Sequence, residues 1–146
     1  MNDRNTERVR TERIAFQARQ FVTAAQRCGG FHINGFDMKD WLPNAQVVNY
    51  ALGAELALKG LQLLHMGKAE RGHDLSKLCL SLPLAVQEFV RKDMPKALFD
   101  ERLHSLRLAF EEWRYAHESD VDISISIGFL EHLATSSTKV LEVALC

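Results

Sequence analysis

The chain has 146 residues, 47% of them hydrophobic and 25% charged, which is enough apolar material for one core without disulfide or metal staples. Eighteen basic residues stand against 19 acidic ones, for a formal charge of −1. No global field therefore draws the chain to nucleic acid or to an anionic membrane, although a sum can hide a local patch. The cysteines Cys28, Cys79 and Cys146 are widely spaced and form no CxxC pair. That pattern excludes a disulfide framework and a zinc site, and predicts reduced thiols with Cys79 in a core.

No apolar run is long enough to span a bilayer, and the polar stretch Met1–Thr11 lacks the pattern of a signal peptide. The expectation is one domain over residues 1–146, cytoplasmic, with no membrane partner, no metal and no cofactor.

Helical periodicity is the main signal along the chain. The first helix is predicted over 5–27, where Ile14, Ala18, Phe21, Val22 and Ala25 recur at steps of three and four and Gly29-Gly30 follow. Phe31 to Leu42 reads as a loop around the Asn34-Gly35 turn signal. The second helix is predicted over 44–66. It is apolar over most of its circumference, the mark of a central bundle helix, and keeps one narrow polar strip of Glu55, Lys59 and Gln62. Gly67 is its expected C-cap.

A short helix is predicted over 74–82, with Asp74 as N-cap and Pro83 as its stop, and another over 84–92. A long helix follows from Pro95 to Glu118 with the stripe Phe99, Leu103, Leu106, Phe110, Trp113 and His117. The last helix is predicted from Ser126, with Leu130, Leu133, Ala134, Leu141 and Ala144 inward and Ile123, Ile125 and Ile127 as an extended lead-in. Five to six helices and no paired strands give an all-α, antiparallel up-down bundle.

Three groups of residues carry candidate chemistry. Glu55 and Lys59 stand at i and i+4, in the favourable order for a helical ion pair; their plain role is that pair, and their functional role is a polar strip facing a cleft where Lys59 meets a phosphate. In Gly72-His73-Asp74-Leu75, Gly72 permits a tight loop, Asp74 caps the next helix, and His73 either bonds loop carbonyls or faces a groove. Arg114 and His117 combine a phosphate-gripping guanidinium with a proton-transferring imidazole. In the plainer reading Arg114 pairs with Glu111 or Glu118 and His117 is a core histidine. There is no Gly-rich phosphate loop, HExxH, EF-hand loop or GxSxG.

The run from Asn49 to Leu64, followed by Gly72-His73-Asp74-Leu75-Ser76-Lys77-Leu78, resembles the HEPN family (higher eukaryotes and prokaryotes nucleotide-binding). Phe110-Glu111-Glu112-Trp113-Arg114-Tyr115 is similar to a late-helix pattern of one bacterial subgroup, so the likeness covers roughly residues 44–118. It implies a HEPN-like bundle that dimerises with itself, binds RNA or a nucleotide, or meets an operon-encoded protein partner in a toxin–antitoxin or phage-defence setting. Ligand-binding residues would be Glu55, Lys59, His73, Asp74 and Arg114. RNase members of the family separate their Arg and His by four to six residues, whereas Arg114 and His117 enclose two. The first expectation is accordingly an interaction or nucleotide/RNA-binding module. The alternatives are a metal-independent RNase using Arg114 and His117 as its catalytic pair, and a purely structural all-α protein.

Overall fold

The computed structural model describes residues 2–29, 41–113 and 123–146. Within them the chain is all-α, with no strand and seven helices: α1 (Asn2–Cys28), α2 (Pro43–Met66), α3 (Leu75–Leu80), α4 (Leu84–Arg91), α5 (Lys96–Ser105), α6 (Ala109–Trp113) and α7 (Ile123–Leu145). The predicted loop from Phe31, up to residue 40, lies outside the described residues, as does the predicted helical stretch Arg114–Glu118.

The centre is α2. Val47, Ala51, Ala54, Ala57, Leu58 and Leu61 are each fully buried, and α1 and α7 pack along it. The α1 helix contributes Ala15, Ala18, Val22 and Ala25; α7 contributes Phe129, Leu130, Leu133, Ala134 and Leu141. Small residues let these helices come close. A Cβ built on Gly60 would lie 2.5 Å from Leu141 Cδ2 and 3.3 Å from Ile14 Cγ2. The α2 helix starts on Pro43, whose missing N–H costs nothing at a helix start. It ends at Gly67, whose φ of 75° turns its N–H back to the Leu63 carbonyl at 3.0 Å.

Two boundaries differ from the sequence expectation, and the first of them raises the helix count from five or six to seven. The long helix from Pro95 breaks at Leu106–Leu108, although no glycine or proline stands there. The cause is tertiary. Leu75, first residue of α3, has an amide with no intrahelical acceptor, and it donates to the Arg107 carbonyl at 2.8 Å. That carbonyl is turned out of the helix to receive it, and Leu106 and Phe99 still pack into the core. At the other boundary, Ile123–Ile125 is helical rather than extended, so α7 begins three residues before the predicted start. Ala144 is exposed rather than inward.

Burial also moves two ionisations. Desolvation pushes the Cys79 thiol up from 9.0 to about 12, with the charge of Asp100 adding to the effect. Desolvation and the charge of Glu131 raise Tyr50 from 10.0 to about 12 against the opposing pull of a hydrogen bond with Gln46. Both groups release their protons more readily in the unfolded chain. Their contribution to stability is thus intact below about pH 9 and is lost as the pH climbs towards 12. Thermal melts at pH 8, 10 and 11 are expected to show a falling Tm, with a shallower fall in Cys79→Ala. In the core, Gly60→Val is expected to cost roughly 1–3 kcal/mol in urea unfolding through overpacking against Leu141. Gly60→Ala should cost less, since only the tip of Leu141 must yield.

Candidate functional site

The sequence-predicted residues Glu55, Lys59, His73 and Asp74 do converge, and their geometry is that of a fastening. Glu55 lies on the one polar strip of α2 and is only 5% exposed. Its Oε1 accepts from Lys59 Nζ at 3.1 Å and from His73 Nδ1 at 2.5 Å. The His73 ring also rests against Phe110 of α6, with centroids 5.4 Å apart. Asp74 takes the capping position, its Oδ1 accepting the Lys77 amide at 3.1 Å.

One turn further along the strip, fully buried Gln62 completes the joint. Its Nε2 donates to the Leu78 carbonyl at 3.2 Å and to Ser81 Oγ at 2.6 Å, and its Oε1 accepts the Glu70 amide at 2.9 Å. The strip thus holds the 67–74 connection and α3 onto α2, and every polar group in it has a partner. Arg114 and His117 lie outside the described residues, so no geometry relates them to this cluster.

A different feature has the character of a binding site, and sequence reasoning missed it. A groove of about 500 Å³ runs between α1, the end of α4 and α7. Arg19 comes from α1, Phe89 and Lys92 from α4 and its C-cap, and His132, Thr135 and Lys139 from α7; among the described residues no carboxylate lines it. Arg19 is held by Glu142, whereas Lys92 and Lys139 make no ion pair among the described residues. Phe89 is 69% exposed. Two larger or comparable hollows on α1 are each lined by that helix alone.

The groove's floor is built by a clamp on α4. The helix ends with carbonyls that have no intrahelical donor. His132 Nε2 donates to the Arg91 carbonyl at 2.8 Å, and Ser136 Oγ donates to that of Val90. These bonds fix the His132 tautomer and cover part of the negative end of α4. The chain then leaves through Lys92, the one non-glycine residue with positive φ among those described (φ 56°, ψ −127°). An L-residue held there stores strain of about 1–3 kcal/mol, and such strain concentrates at functional positions.

The two regions separate by mutation. His73→Ala removes one of the two donors to a carboxylate shut away from water, and is expected to lower stability by roughly 1–3 kcal/mol in urea unfolding. Lys139→Ala, at an exposed position, should leave stability within about 0.5 kcal/mol of the parent. Equal stability of His73→Ala and the parent would contradict the fastening role. No protein-family model, curated protein or solved structure matches this chain.

Proposed function

We propose that this all-α protein is a HEPN-like nucleotide- or RNA-binding module that recognises phosphate in the groove between α1, α4 and α7. The observation that carries this reading is the lining. In a chain of net charge −1, a groove whose described lining carries Lys92 and Lys139 without an ion pair, and no carboxylate, is a local positive site. Lys92 and Lys139 are free to exchange their counterions for phosphate, the main source of affinity for nucleic acid. The strained backbone at Lys92 supports the same reading, because a glycine there would relieve the strain and remove the charge together.

The resemblance of Asn49–Leu64 and Gly72–Leu78 to HEPN sequences points to the same ligand class but to other residues. Lys59 and His73 are committed to Glu55, which leaves the groove as the better phosphate seat.

The test is fluorescence anisotropy with labelled oligonucleotides, single-stranded and duplex, from 20 to 200 mM salt. Binding should weaken steeply with salt, and Lys139→Ala should reduce the slope of log K against log salt by about 1. Lys92→Gly is expected to raise stability by about 1 kcal/mol while weakening binding, the pair of effects that a strained functional residue gives. Absence of binding to any strand at low salt, or unaltered binding in Lys139→Glu, defeats the reading.

A further inference from the structure

The phosphate-binding reading leaves open which form of nucleic acid the groove accepts, and three features of its shape bear on that. It is sunk between three helices, whereas a duplex is read by an element pushed outward into one of its grooves. It is long in one direction. His132 and Lys139 stand two turns apart on α7, roughly 10.5 Å at 1.5 Å per residue. Successive phosphates lie farther apart along the backbone than the axial rise of a stacked strand, about 3.4 Å, so this length reaches a second phosphate but not a third. Third, Phe89 lines the groove three residues before Lys92 and is 69% exposed, with Lys92 and His132 at the same end. An exposed aromatic ring in a groove that also holds lysines offers a face on which a base can stack.

We propose that the groove takes a short single-stranded stretch of nucleic acid, one base stacked on Phe89, with the backbone phosphates gripped by Lys92 at one end and by Lys139 at the other. Contacts of this kind meet phosphate and the π-face of a base, so they tolerate different sequences and demand an unpaired strand. A duplex keeps its bases stacked on one another and cannot offer one to Phe89. The inference rests on the phosphate-binding reading and can fail without it.

The experiment uses the full chain and labelled twelve-nucleotide probes: single-stranded oligo(U), single-stranded oligo(dT), and a mixed-sequence duplex of the same length. Single strands of either sugar should bind at least about 10-fold more tightly than the duplex. Stacking on an aromatic ring is worth about 1–3 kcal/mol per base, so Phe89→Ala should weaken single-strand binding by roughly 5- to 150-fold. Because Phe89 is largely exposed, that variant should keep the urea midpoint of the parent. Phe89→Tyr should retain binding. Phe89→Trp should bind with a quenched indole emission relative to the parent titration, a signature of stacking that a purely structural residue does not give. Duplex binding equal to that of the single strands, or an unchanged affinity in Phe89→Ala, overturns the single-strand proposal while leaving the phosphate seat in place. Loss of every oligonucleotide complex at low salt overturns both.

Discussion

A helix with almost no solvent face must let its neighbours in close and must find partners for whatever polar groups it carries. The α2 helix meets both demands, and the rest of the fold follows from how it does so. Gly53 and Gly60 open two points of near contact, towards Val22 on α1 and towards Leu141 on α7. Fully buried Ala54 and Ala57 lie between them, so dispersion contacts are made at short range on more than one side of the cylinder. The large buried side chains, Tyr50, Leu58 and Leu61, then sit where α2 needs volume rather than proximity.

The polar strip meets the second demand. Glu55 and Gln62 are buried in the middle of a largely apolar helix, and each would cost several kcal/mol if left unpaired. They are paired by the segment that immediately follows: His73 reaches back to Glu55, the Glu70 amide and Ser81 to Gln62. This explains why two separate stretches of sequence read as one motif. The strip and the Gly72-His73-Asp74 turn are halves of a single joint, and a chain that makes this return onto its central helix needs a buried acceptor, a reaching donor and a cap in that order. Residues that look like a phosphate site can satisfy a purely local geometric need, and here Lys59 and His73 are spent on it.

Most of the architecture was legible from periodicity and caps. The near-complete burial of α2, the Gly67 and Asp74 caps and the inward stripe of α7 are local patterns, set by residues within a turn or two of each other. What was not legible is non-local. The break at Leu106–Leu108 exists because an amide on α3 needs the Arg107 carbonyl, and no property of Ser105-Leu106-Arg107-Leu108 announces that. The helical start at Ile123 overrode an alternating pattern with the period of a strand. For the site, the Glu55–Lys59 pair was legible as an i,i+4 pair and Asp74 as a cap, while the meeting of His73 with Glu55 required the fold. The groove was invisible because its cations come from three elements far apart in the chain, each an ordinary surface residue in its own helix. The single local clue is Lys92, and its oddity is a backbone angle that the amino-acid type does not reveal.

The placement of charge gives that groove its weight. Acidic residues outnumber basic ones in this chain by one, yet exposed ion pairs such as Arg8–Glu12 and Lys96–Asp100 neutralise charge elsewhere on the surface. Even Arg19 is balanced by Glu142. Lys92 and Lys139 are left facing a concave space, where low-dielectric walls concentrate their field instead of letting water dissipate it. Surface pairing contributes little to stability, of order 0–1 kcal/mol per pair, so leaving these two lysines without an ion pair among the described residues costs the fold little. The φ of 56° at Lys92 is different, because there the backbone itself opposes the residue. An unpaired cation, a strained backbone and an exposed aromatic ring are each tolerable by themselves. Their meeting in one groove is the feature on which the proposed phosphate-binding role rests.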